Sequence, residues 1–179
     1  MGGNAVSVAL LADTHGWLDP RIARIAARCD MAVHAGDVGA AAVLQELRPR
    51  TGEVIAVRGN NDVPDKWPED DHRVLETLEP EASVALPGGD LVVVHGDGPG
   101  RAADRHDRLR AAYPEARAVV YGHSHRRIAD TDRVPWILNP GAAGRTRTYG
   151  GPSCLVLVAS INAWSVHEHR FELQSRASE

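Results

Sequence analysis

Seven residues able to coordinate metals or move protons stand at the ends of apolar runs. Asp13 and His15 follow "VALLA", Asp37 follows "MAVHAG", and Asn60 follows "VIAVRG". His95 closes "LVVVH", and His123 and His125 follow "AVVYG". Two carboxylates, one amide and four imidazoles, with no thiolate, make a hard to borderline donor set that suits Mn, Fe, Zn, Co or Ni. Seven donors are too many for one tetrahedral ion, whereas two divalent transition-metal ions sharing a carboxylate would use them all. Taken alone, the pair His123 and His125 fits packed or exposed imidazoles as well as ligands, because a buried ring needs partners for both nitrogens. The recurring position separates these residues from ordinary polar ones. In α/β sheets, groups distant in sequence converge at the carboxyl ends of the strands.

The elements that would position them are legible in the pattern of apolar residues. "AVSVALLA", "DPRIARIAARC", "MAVHAG", "GAAAVLQELR" and "EVIAVRGN" alternate strand and helix patterns, a βαβαβ order that demands parallel pairing. Asp19 and Pro20 form a cap and first-turn proline, with Ile22, Ile25 and Ala26 on the inner face. Residues 62–71 are polar, contain Pro64 and Pro68, and read as a surface loop shaping access to a site. "EASVALPGGDLVVVHGD" gives two strands around a Pro-Gly-Gly-Asp turn, and "AADRHDRLRAAYP" a helix with Leu109, Ala112 and Tyr113 on one side. "RAVVYGHSH" is a further strand. "VPWILNPGAAG", "SCLVLVAS" and "AWSVHEHRF" make a largely antiparallel tail with Asn162 in its last turn. A parallel first half and a mainly antiparallel second half predict an α/β fold, a two-sheet β-sandwich flanked by helices, with residues 1–179 forming a single domain.

Composition narrows the function. The 179 residues are 43% apolar and carry a formal charge of −4, with one lysine, Lys66, among many arginines and no basic stripe. Nucleic-acid binding by electrostatics is therefore not expected. The first apolar run is too short for a bilayer, lacks a basic leader and meets Asp13 at once, so it reads as a buried strand of a cytoplasmic protein without a membrane segment. Cys29 and Cys154 lie far apart, supporting neither a disulfide framework nor a thiolate zinc site. Nine histidines exceed what packing requires. His34 precedes Asp37 and could orient a ligand or simply pack, while His72 and His106 read as surface residues. His167 and His169 share one face of a terminal strand, with their role open. No tryptophan or tyrosine arrangement reads as a stacking platform. Trp136 and Trp164 are the expected interface residues should the chain form a homo-oligomer through a strand edge.

The ordered motifs "DTHG" (13–16), "HAGDV" (34–38), "RGNND" (58–62), "VHGD" (94–97), "GHSH" (122–125) and "NPGA" (139–142) resemble those of the calcineurin-like metallophosphoesterases. The likeness points especially to the small bacterial and archaeal phosphodiesterases and covers nearly the whole chain. It implies the two-sheet fold and a binuclear centre, with manganese favoured. One ion would be held by Asp13, His15, Asp37 and His125, the other by Asp37, Asn60, His95 and His123, with Asp37 bridging. The substrate would be a small phosphate ester, hydrolysed by direct attack of a metal-bridging hydroxide with Asp37, Asn60 and His95 in catalytic positions. Asn61, Arg145 and Arg147 are the expected contacts to the substrate phosphate. Many phosphomonoesterases of the family place a histidine, thought to protonate the leaving alkoxide, where this chain has Asn61. An amide cannot act as a general acid, and that departure favours diesters with good leaving groups. Asp62 is expected to shape the turn, with proton donation as the alternative. A rival reading is a binding module that keeps the fold without catalysis, as in the phosphoesterase-like retromer subunit. Such a module should lack several imidazoles, whereas all seven positions are filled here.

Overall fold

Apolar runs without polar alternation are expected for strands covered on both faces. The computed structural model, which describes residues 5–173, contains two five-stranded sheets whose inner strands are such runs, while the edge strands Glu81–Leu86, Ile128–Asp130 and Trp164–Arg170 carry polar residues. In the first sheet β1 (Val6–Leu11) lies beside β2 (Met31–His34), and β2 beside β3 (Val54–Ala56), both pairs parallel. α1 (Pro20–Ala26) and α2 (Ala41–Glu46) make the crossovers. Asp19 caps α1, its carboxylate accepting the Arg21 backbone N–H at 2.8 Å and the Arg21 guanidinium at 2.7 Å.

The second sheet is ordered β4 (Glu81–Leu86), β5 (Gly89–Val94), β6 (Ala118–Val120), β8 (Trp136–Asn139), β7 (Ile128–Asp130). α3 (His72–Leu75) precedes this sheet, and α4 (Arg105–Ala112) connects β5 to β6. β9 (Ser153–Ala159) and β10 (Trp164–Arg170) return to the first sheet, β9 pairing antiparallel with β1.

The division between parallel and antiparallel halves therefore does not separate the two sheets; each sheet is mixed. The β5, β6 and β8 pairings of the second sheet are parallel, and the terminal hairpin completes the first. Local pattern cannot assign these partners, because a strand carries no mark of its neighbour. Strand β7, only three residues long, escaped the sequence reading. The β4–β5 turn is Pro87 and Gly88 alone, since Leu86 already pairs with Gly89.

Side-chain alternation sorts each strand between two layers. Val8, Leu10, Val33, Val93, Val120 and Leu157 face the core between the sheets, while Ala9, Leu11 and Ala32 face a second core under α1 and α2. Leu109 and Tyr113 pack over Val92, Val94 and Tyr121 on the far side of the second sheet. Ala112, expected on that inner face, is exposed, because the helix ends there with Leu109 and Tyr113 one turn apart. Trp164 is buried in the inter-sheet core and donates its indole N–H to the Pro87 carbonyl, while half-buried Trp136 packs against that core and meets Trp164 edge to face at 6.4 Å. Among the described residues no helix is long and apolar enough to cross a membrane.

Candidate metal centre

The chain leaves β1, β2 and β3 of one sheet, and β5 and β6 of the other, at a shared edge. Backbone bonds zip the emerging loops together: Asp13 N–H to the Gly36 carbonyl (3.0 Å), His15 N–H to Asp37 (3.0 Å), Gly122 N–H to His95 (3.1 Å). Five of the seven candidate ligands, Asp13, His15, Asp37, His123 and His125, adopt positive φ between 47° and 62°. That left-handed region is sparsely populated by non-glycine residues and is held only where surroundings dictate it. Glycine is required for the close approach of these loops. A Cβ on Gly59 would lie 2.2 Å from the Asp37 Oδ1, and one on Gly36 would lie 2.6 Å from His95 Nδ1.

All seven predicted ligands come together. His125 Nε2 lies 3.4 Å from Asp13 Oδ1 and 3.3 Å from His15 Nε2. Asp37 Oδ2 stands between two imidazoles, 3.8 Å from His15 Nε2 and 3.4 Å from His95 Nε2. Asn60 Oδ1 is 3.0 Å from His95 Nε2 and 3.1 Å from His123 Nδ1. Two groups can each place three ligand atoms within 4.8 Å of one another: Asp13, His15 and His125, and Asp13, Asp37 and His95.

The chemistry of this cluster fits divalent cations. The Nδ1–H of His95 donates to the Ala35 carbonyl at 2.9 Å, and that of His125 to the Thr146 carbonyl at 3.0 Å. These bonds aim both Nε2 atoms into the cluster, as carbonyl-anchored histidine ligands require. Asp37 Oδ2, Asn60 Oδ1 and His95 Nε2 then converge, and a cation taking the place of the His95 Nε2 proton would satisfy all three. Asp13 Oδ2 is buried without any hydrogen-bond partner, a costly arrangement for a carboxylate unless a cation faces it.

Electrostatics agree. Burial, with Asp37 nearby, raises the Asp13 carboxyl to about 7, although His95 opposes the shift. Burial also raises Asp37, but hydrogen bonds and charge from His95 and hydrogen bonds from Asn61 outweigh it and hold the carboxyl well below the usual range. His95 is lowered by burial yet pushed up to about 9 by Asp37. Burial lowers His125 to about 4 despite its bond to Thr146, and also lowers His15 and His123, so these rings present neutral nitrogens.

Other expected residues fall into different roles. Asn61 donates its backbone N–H to Asp37 Oδ1 at 2.8 Å and its amide to Asp37 Oδ2 at 2.7 Å, while Lys66 donates to the Asn61 carbonyl oxygen. Asn61 and Lys66 line a cavity of about 120 Å³ beside His15 and Asp37. Asp62 is a buried turn acid whose carboxylate collects the N–H groups of Val38, Gly39 and Gly59 and the Trp67 indole. The loop over residues 62–71 is thus pinned by buried Asp62 and Trp67 rather than lying wholly on the surface. His34 is buried and packs behind the site. Thr14 gives its hydroxyl proton to the Val38 carbonyl, so His34 Nε2 donates to Thr14 at 2.9 Å.

Arg147 donates to His125 Nε2 at 3.1 Å, whereas the Arg145 guanidinium stacks 3.6 Å from the centre of the Trp17 ring, a platform the sequence did not reveal. His106 is half-buried, bonded to the Tyr121 hydroxyl and facing Asp130. His167 and His169 lie on β10, away from the two ligand groups. Lys66 and Thr14 were missed as contributors. Thr14 lies within the first motif and is buried, whereas Lys66 stays exposed and reaches the site only through its contact with Asn61.

A two-sheet α/β sandwich with imidazoles and carboxylates gathered at one strand edge is an architecture suited to holding divalent metal ions. The model for the calcineurin-like phosphoesterase superfamily domain matches residues 6–161, and the chain belongs to this superfamily of metal-dependent enzymes. Among curated proteins none matches the sequence. Of solved structures, a single-substitution variant of Vps29 from Entamoeba histolytica is 15% identical with a TM-score of 0.70, covering 93% of this chain and 99% of its own. A novel archaeal phosphodiesterase is 20% identical with a TM-score of 0.65, covering 91% of this chain and 99% of its own. YfcE, a phosphoesterase from E. coli, is 21% identical with a TM-score of 0.58, covering 92% and 98%.

Proposed function

We propose that this chain is a binuclear phosphodiesterase. The observation that supports this reading is Asp37 Oδ2 standing 3.8 Å from His15 Nε2 and 3.4 Å from His95 Nε2, a position from which one carboxylate would serve both ions. Asp13, His15, Asp37 and His125 would hold one ion; Asp37, Asn60, His95 and His123 the other. Bound ions of this kind supply Lewis-acid polarisation of the phosphoryl group and activate water as the nucleophile, with manganese the favoured metal. The chain's own residues do the rest. Exposed Asn60 offers its amide N–H groups, and Arg147 its guanidinium beside His125, to phosphoryl oxygens as charge grows on them. Asn61 fixes the Asp37 carboxylate through two hydrogen bonds and has no proton to give a departing alkoxide. Neither thiol serves as a nucleophile: both are buried, and burial raises Cys154 to about 12. Reactivity should follow leaving-group acidity, favouring aryl diesters over alkyl monoesters.

The test is reconstitution with excess Mn, desalting, elemental analysis, and turnover of bis-p-nitrophenyl phosphate with and without chelator. About two ions per chain and chelator-sensitive turnover are expected. Fewer than one ion, with activity indifferent to chelator, overturns the proposal. Two ions without turnover on any mono- or diester favour a binding module, a reading suggested by the fold-level likeness to Vps29.

A further inference from the structure

A second cavity, of about 260 Å³, lies between β5 and α4 and reaches His95, one residue of the candidate metal centre. That volume is just below the usual range for small-molecule sites, about 300–1,000 Å³, so its occupant is short. Arg105 and Arg108 line it, with Leu109 and Tyr113 further along. Acids near α4 are committed to other partners: Asp104 before the helix pairs with Arg101, Asp107 on it with Arg133, and Asp130 of β7 with Arg110. Of the acids lining the cavity, Glu81 accepts the Tyr113 hydroxyl proton, and Asp97 is exposed beside His95. Arg108 has one contact, from its Nη1 to the Arg101 carbonyl at 2.8 Å. Arg105 lies with its Cζ 5.6 Å from the Tyr121 ring centre, and its Nε is buried without a hydrogen-bond acceptor. A desolvated guanidinium N–H with nothing to donate to is costly, and its planar fork matches phosphate oxygens.

We infer that this cleft is a second anion subsite, in which Arg105 and Arg108 bind a phosphoryl group carried by the leaving portion of the substrate. The inference rests on the phosphoesterase reading, because the cleft reaches His95. It makes the substrate a short phosphate ester bearing a second phosphoryl group.

Isothermal titration of Mn-reconstituted protein with propane-1,3-bisphosphonate and with propylphosphonate, neither of which can be hydrolysed, tests it. The wild type should prefer the bisphosphonate by about tenfold or more, the scale of a charge-assisted hydrogen bond. Arg105→Ala should abolish most of that preference, Arg105→Lys restore part of it, and Arg108→Ala reduce it. A wild-type preference below about twofold, or full preference in a folded Arg105→Ala protein, overturns the inference. Should Arg105→Ala fail to fold, Arg108→Ala decides alone, and an unchanged preference there is refuting. Metal content and bis-p-nitrophenyl phosphate turnover of the wild type report separately on the phosphoesterase reading. Failure of one is therefore distinguishable from failure of the other.

Discussion

Replacing Asp62 with alanine should loosen the metal centre without removing any ligand. The carboxylate accepts from Gly59 N–H at 2.7 Å, Trp67 Nε1–H at 2.9 Å, Gly39 N–H at 3.0 Å and Val38 N–H at 3.2 Å. Water can reach the Gly39 group, but the other three bonds are buried. An unsatisfied buried donor costs about 1–3 kcal/mol, so three of them predict a loss of at least about 3 kcal/mol. With a urea slope of about 2 kcal/mol/M, the unfolding midpoint should fall by about 1.5 M or more. Asp62→Asn should be nearly as damaging, because whichever way the amide turns, its NH₂ faces two N–H donors. Gly59 and Val38 flank Asn60 and Asp37, so metal affinity should also fall, by about 10–100-fold as for other residues that orient ligands. Urea unfolding and elemental analysis after desalting measure the two effects. A midpoint within about 0.5 M of wild type, together with undiminished metal content, would refute the assignment of Asp62 as the pin of these loops.

Asp37→Asn should lower the occupancy of both ions, whereas His125→Ala should empty chiefly one; the metal stoichiometry of the two variants shows the difference. Asn61→His introduces a proton donor beside Asp37 and should raise kcat/KM on alkyl monoesters relative to aryl diesters; an unchanged ratio in fully metallated protein removes Asn61 as the cause of the preference. Burial lowers His34 from 6.5 to about 4, so as pH falls through that interval the unfolded chain takes up a proton that the folded chain refuses. Stability should therefore be intact above about pH 6.5 and decline toward pH 4. Urea midpoints across this range should fall less steeply for His34→Gln than for the wild type.

The seven donors and their strand-end positions were legible because apolar runs mark strands and because α/β topology sends the residues after those strands to one edge. Asp19 and Pro20 announced α1 by local chemistry alone, and the structure shows the cap. What decided the rest was pairing at long range. Nothing in "SCLVLVAS" states that it lies against β1 rather than continuing the second sheet, because backbone hydrogen bonds are the same whichever strand supplies them. Trp136 and Trp164 lie far apart in sequence, and only the packing of the sheets brings their rings to 6.4 Å, Trp164 in the core and Trp136 against it. Asp62 and Trp67 lay in a stretch polar enough to read as surface, yet the fold buries them because four donors from three loops need one acceptor. Arg145 and Arg147 were indistinguishable by type and spacing, and only the path of the loop after β8 lays one on Trp17 and brings the other to His125. Residue type determined which chemistry was available; the burial and convergence that make it act depend on distances between atoms that the chain order does not contain.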